Sequence, residues 1–287
     1  MRKDEDIVLD ELKICYKADK EQLAFLMGVE EGGFVDVEGY RLFRLGNGRF
    51  RFFFLVTKEG EPMADLKFGL YSDKDDGQYA FVFFKVHNQV LYNKTRLETV
   101  LKFPEDMGFV FNNFTSLDLA LDTDRNLITM VRRLMLDKGV TTIYNGRAIE
   151  LRHEVLAGAK AEYSITLNRF VQPGITLHQK KAITNKNEGI TVQVYDKKAE
   201  IKQESGKQYI LDYYGNPNRL YRMEVRLHYQ EIKDYFANNQ ITPSLDIIFD
   251  ATRKTELFLY HLASVIRFTR GRRKIPWDGL LKCSHGG

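Results

Sequence analysis

The chain has 287 residues, 44% hydrophobic and 29% charged, which are the proportions of a globular protein able to bury a substantial core in one large or two small domains. Its 43 basic and 39 acidic residues leave a net charge of only +4, so total charge alone does not mark a polyanion binder. No stretch approaches the roughly 20 uninterrupted apolar residues that span a bilayer, and the acidic opening MRKDEDIVLDEL lacks a signal peptide's apolar centre. The expectation is a cytoplasmic protein with no membrane partner, its two distant cysteines, Cys15 and Cys283, free thiols.

In chain order, alternation of Leu12, Ile14 and Tyr16 predicts a strand that passes into a short helix over 20–27, with Asp19 as its N-cap. Segments 40–45 and 49–57, joined by Gly46-Asn47-Gly48, predict a hairpin, and 63–71 and 78–87 extend it to a four-strand antiparallel meander. The aromatic run Phe50, Phe52, Phe53 and Phe54 reads as buried strand rather than as a base-stacking surface. A helix is expected over 92–103, ended by Pro104.

TSLDLALD, residues 115–122, points Leu117, Leu119 and Leu121 one way and Ser116, Asp118, Ala120 and Asp122 the other. Two carboxylates four residues apart on a strand lie roughly 13 Å apart, too far to share one ion directly. A helix capped by Asp124 follows over 124–136. The same strand-then-helix succession recurs at 219–236, where YRMEVRL gathers Arg222, Glu224, Arg226 and His228 on one face. Between these units, 161–167 and 190–199 predict strands, the second holding Tyr195, Lys197 and Lys198, with a polar loop of Lys180, Lys181, Lys186 and Asn187 between them. One long helix over 243–268, with Leu245, Ile248, Leu257, Leu259, Leu262 and Val265 as core positions, leads into a basic cluster of Arg267, Arg270, Arg272, Arg273 and Lys274. The domain expectation is therefore 1–242, with 243–287 as a C-terminal helix and basic tail packed on it.

The chain has no GxxxxGK[ST], HExxH, paired CxxC or GxSxG motif, which sets aside a motor ATPase, the usual zinc sites and a serine-hydrolase elbow. Tyrosine, carboxylates and basic residues remain. A tyrosine hydroxyl, with a reference pKa of about 10, becomes nucleophilic when its phenolate is stabilised. Carboxylates suit Mg2+ or Mn2+, which also draws charge from a phosphodiester. Taken singly, Tyr195 also reads as a packed ring, Asp118 as a solvated strand residue and Glu224 as an ion-pair partner of Arg222 or Arg226.

In that order and spacing, TSLDLALD, VYDKKAE and RMEVRL resemble the replication initiation factor family of bacterial rolling-circle plasmids and the related nickases of integrative elements. The resemblance covers roughly 9–236. It implies an α+β fold like the HUH endonucleases, an antiparallel sheet with flanking helices, and the repeated strand-then-helix pattern at 115–136 and 219–236 separately reads as two related halves sharing one sheet. The resemblance implies a rolling-circle initiator that nicks and rejoins one strand at an origin through a 5′-phosphotyrosine. Tyr195 would be the nucleophile, assisted by Lys197. Asp118 and Glu224, with Asp122 and Glu200, would hold Mg2+ or Mn2+. Lys198, Arg222 and Arg226 would contact DNA. Arg270, Arg272, Arg273 and Lys274 lie outside the matched motifs, and the density of their charge reads either as a DNA contact or as a solvated tail. The chain has Ser116 where the family commonly has arginine two positions before the first aspartate. Partners implied are origin DNA, single-stranded or a hairpin nick site, a host helicase, since the chain has no motor motif, and a second copy in a homodimer. A conjugative relaxase with the same chemistry and a non-catalytic DNA-binding regulator are the alternatives.

Overall fold

The computed structural model describes residues 7–46, 49–70, 79–149, 165–166, 174–179 and 188–281. The fold is mixed α+β, with a large antiparallel sheet and flanking helices. The chain divides into two compact units, Asp10–Leu117 and a larger one of Met1–Leu9 with Asp118–Gly287.

In the smaller unit, β1 (Val8–Asp19) leads into α1 (Lys20–Met27). Asp19 caps that helix as expected, accepting from the Glu21 amide, while the Gln22 side chain returns to the Asp19 amide. The meander is present as β3 (Tyr40–Leu45), β4 (Phe50–Lys58), β5 (Glu61–Leu70) and β6 (Tyr79–Val86), and β2 (Phe34–Val37), absent from the sequence expectation, adds an edge. All five pair antiparallel in succession, and β1 pairs with β6. The aromatic run of β4 is only half core. Phe54 is buried, whereas Phe50, Phe52 and Phe53 are half-buried: Phe52 stacks on Phe68 at 4.8 Å, and Lys67 lies 4.1 Å from the Phe53 ring centre. A short α2 (Asn88–Leu91) precedes α3 (Lys94–Asp106). Contrary to expectation, Pro104 lies inside α3. A proline near the C-terminus forfeits one amide bond, and the last turn still closes through Met107 N–H to the Phe103 carbonyl. Ser116 donates its hydroxyl to Glu11, 2.9 Å away.

The larger unit opens with the second part of β7 (Val110–Thr123) and α4 (Leu127–Leu136). Asn126, not Asp124, caps α4, accepting from the Thr129 amide. Then come β8 (Thr141–Tyr144), β9 (Arg147–Ile149), β10 (Ile165–Thr166), β11 (Gly174–His178) and β12 (Thr191–Asp196). Of the strand expected over 161–167, only 165–166 are among the described residues, and the loop lysines Lys180, Lys181 and Lys186 with Asn187 lie outside them. The strand expected over 190–199 stops at Asp196. Its carboxylate accepts from the Ala199 amide and starts α5 (Lys197–Glu200), which runs into a π-helical turn over Ile201–Ser205.

After α6 (Gln208–Tyr213), β13 (Tyr221–His228) and α7 (Tyr229–Asn238) form the second strand-then-helix unit. The single helix expected over 243–268 is instead a 3-10 turn at Leu245–Ile248, α8 (Ala251–Val265) and β14 (Ile266–Arg270). Asp250 restarts the helix by accepting from the Arg253 amide, and β-branched Ile266 leaves it in extended conformation. The basic cluster is accordingly a β-hairpin, β14 with β15 (Arg273–Ile275), and not a helical tail. These strands form a separate sheet ordered β15-β14-β8-β9. Trp277 of α9 (Trp277–Leu281) fixes the hairpin's base, its indole N–H donating to the Ile266 carbonyl at 2.8 Å.

The order β10-β11-β12-β13-β7 carries the candidate site. Ile175, Leu177, Val192, Val194, Met223 and Val225 alternate to one face and are buried, and α4 packs on β12 and β13 while α7 and α8 pack on β13. The other face is polar.

Candidate active site

Antiparallel register places three rows across the polar face: His178, Thr191 and Arg226; Thr176, Gln193 and Glu224; Gly174, Tyr195 and Arg222. Side chains directly opposite one another share a face, so alternation in VQVYD and RMEVRL sends this whole set to the same side. Asp118 and Asp122 of β7 meet it. Arg226 Nε donates to Asp118 Oδ2 at 3.0 Å, and Arg222 donates through Nε and Nη2 to the two oxygens of Asp122 at 2.7 and 2.6 Å. Four residues forward along β7 correspond to four back along β13, the relation of antiparallel neighbours.

Glu224 links the rows. Its Oε2 accepts the Tyr195 hydroxyl at 2.9 Å, its Oε1 accepts from Arg226 Nη2 at 3.3 Å, and Arg222 Nη1 lies 3.9 Å from Oε2. Although polar, the face is enclosed. Arg222 is 0% exposed, Asp118 and Glu224 are each 4% exposed, and of these charged groups the Arg226 side chain, at 43%, is the one that reaches solvent. Three carboxylates against two guanidiniums leave an acidic site, and burial is tolerable because each charge meets an opposite one.

The remaining expected residues lie around this network or away from it. Lys197 is buried on α5, where its ammonium meets Glu200 at 2.8 Å and stands 5.6 Å from the Tyr195 ring centre. Lys198 donates to the Pro217 carbonyl at 2.6 Å. Arg222 lies inside the fold rather than on a DNA-facing surface. Arg270, Arg272, Arg273 and Lys274 are exposed on the hairpin of the second sheet and are not members of the tyrosine network, and Arg270 pairs with Asp137 at 2.9 Å.

Among the described residues, no group of three or more His, Cys, Asp or Glu side chains is arranged to hold a metal ion. Asp118 and Glu224 nonetheless fit a hard divalent ion in kind: both offer carboxylate oxygens, and both meet the single guanidinium of Arg226, which is 43% exposed. Asp122 does not fit, because Arg222 holds both of its oxygens. Glu200 is committed to Lys197 on α5.

Sequence reasoning did not single out His178, Thr191 or Gln193. His178 Nδ1 lies 3.0 Å from Thr191 Oγ1, and its backbone N–H donates to the Tyr144 hydroxyl at 3.2 Å. Burial, with the nearby Arg226 charge, holds its imidazole below the usual histidine range. The available signal was the alternation in GITLH, with Ile175 and Leu177 on one side and Thr176 and His178 on the other.

No family model and no curated protein matches the chain.

Proposed function

We propose that the chain is a DNA strand transferase of HUH-like architecture that nicks and rejoins one strand at a replication origin through Tyr195. The observation that carries this reading is the hydrogen bond from the Tyr195 hydroxyl to Glu224, on an enclosed polar face that also holds Asp118 and Arg226. Glu224 orients the hydroxyl and takes its proton as the Tyr195 oxygen attacks phosphorus. The new bond is tyrosine oxygen to phosphorus, the bond broken is phosphorus to the 3′ oxygen, and that oxygen takes a proton from solvent water and leaves as a 3′ hydroxyl, while Glu224 returns its proton to solvent. Arg226, which reaches from the network to solvent, would meet the phosphate. Lys197, whose ammonium stands 5.6 Å from the ring centre, would lend positive charge to that side of the ring. Asp118 and Glu224 would hold Mg2+ or Mn2+, which when bound withdraws charge from the phosphodiester's non-bridging oxygens. Rejoining reverses these steps.

The exposed arginines of the β14–β15 hairpin support DNA binding independently of Tyr195, and they favour one second reading, a DNA-binding regulator without cleavage. A conjugative relaxase would use the same residues and chemistry.

The test incubates the protein with a randomised pool of labelled single-stranded DNA and Mn2+ or Mg2+ and looks for an adduct that survives denaturation. The expected result is an adduct lost in Tyr195→Phe while DNA binding persists. An adduct undiminished in that variant overturns the assignment, and binding without any adduct selects the regulator.

A further inference from the structure

A cavity of about 560 Å³ opens in the larger unit between α7 and α8, with Asn145 on its wall. None of the Tyr195 network lines it. Tyr235 and Tyr260 stand edge to face with ring centres 5.0 Å apart, and the His261 ring lies 5.6 and 5.1 Å from them. Glu231, only 8% exposed, accepts the Gly189 amide on Oε1 at 3.0 Å. Its other oxygen is buried with no hydrogen-bond partner among the described residues, as are Asn145 Oδ1 and both ring nitrogens of His261, itself 3% exposed. Asp234 adds a second carboxylate at the rim.

Leaving a buried carboxylate oxygen unsatisfied costs free energy that a donor ligand recovers. Charge decides which donor. Among the described residues, the lining includes two carboxylates and no lysine or arginine, and burial holds His261 neutral, with a pKa pushed down to about 4. Such a wall repels the phosphate of a nucleotide. Aromatic faces beside carboxylates attract an organic cation instead, and the unpartnered acceptors select one that carries N–H groups. We infer that this cavity binds an ammonium or guanidinium cation, with Glu231 and Asn145 accepting its N–H donors and the rings of Tyr235 and Tyr260 flanking its charge. A free amine and an arginine side chain of another protein present the same chemistry.

The test titrates the full chain by calorimetry with agmatine, acetyl-arginine amide, spermidine and choline. Agmatine or spermidine is expected to bind, and choline, which has no N–H donor, to bind about tenfold more weakly or not at all. Acetyl-arginine amide binding more tightly than the free amines assigns a protein side chain as the source; the reverse order assigns a small molecule. Glu231→Gln is expected to weaken the bound cation about tenfold or more. Asp234→Asn and Tyr260→Ala, both at exposed positions, are expected to weaken it without shifting the melting temperature. Absence of heat with every N–H cation overturns the inference, as does binding unchanged in both Glu231→Gln and Asp234→Asn. Choline binding as tightly as agmatine, or binding of deoxyguanosine monophosphate in place of the cations, also overturns it.

Discussion

Two arginines on one strand face opposite situations. Arg222 is sealed and doubly bonded to Asp122, whereas Arg226, four residues on, reaches water while bridging Asp118 and Glu224. Removing the Arg222 partner strands a buried charge, so Asp122→Ala is expected to destabilise the protein by about 3–5 kcal/mol, read as a lowered urea midpoint. Glu224→Gln keeps the shape of its side chain but loses the proton acceptor, and adduct formation is expected to fall by about 10²–10⁴-fold in a single-turnover assay. His261 supplies the pH dependence. Its folded pKa of about 4 lies below its ordinary 6.5, so the unfolded chain binds the extra proton between these values. The stability it contributes is complete above pH 6.5 and is lost as pH falls toward 4, a loss of about 3 kcal/mol. Difference unfolding curves against His261→Phe should show this loss in the parent and not in the variant. At this scale the sequence marked Tyr195, Glu224 and Asp118 by type and order. Their burial was illegible, because it depends on which arginine each carboxylate meets at a distant point of the chain.

At the scale of elements, strands declared by alternation were read well, as was the Asp19 cap of α1, but the boundaries set by Asp196 and Asp250 were not. VYDKKAE carries its strand pattern only as far as Asp196, where a carboxylate bonded to the Ala199 amide turns the chain into α5. Asp250 acts in the same way, dividing what hydrophobic periodicity reads as one helix, because Leu245 and Ile248 continue the spacing across the break. Asp250→Ala is therefore expected to cost about 1 kcal/mol, seen as a small drop in melting temperature with helix content nearly retained. Strands β2, β8, β9, β11 and β15 escaped because each is five residues or fewer, too short for periodicity to separate from loop.

Across the whole molecule, a net charge of +4 conceals how the charge is distributed. The tyrosine network and the aromatic cavity are acidic, while arginines 267, 270, 272 and 273 crowd one exposed hairpin. DNA affinity is expected to fall steeply with salt, and replacing Arg272 and Arg273 by alanine should flatten the log–log salt slope by about 1 for each phosphate that is no longer neutralised. An unchanged slope would remove the hairpin from the interface. The α+β class and the meander were legible in the chain. The second sheet was not, since β8 and β14 lie far apart in sequence with most of the larger unit's other elements between them.

One cross-strand pairing bears on how the tyrosine could work. Tyr195 has Arg222 opposite it on one side and Gly174 on the other. A glycine supplies no side chain, so β11 places no bumper against that flank of the ring. Of its two cross-strand neighbours, Arg222 is therefore the one that sets a side chain beside Tyr195, and both oxygens of Asp122 hold that guanidinium in place. If Tyr195 is the nucleophile proposed above, a branched side chain opposite it, as in Gly174→Val, is expected to crowd it and slow adduct formation in the single-turnover assay.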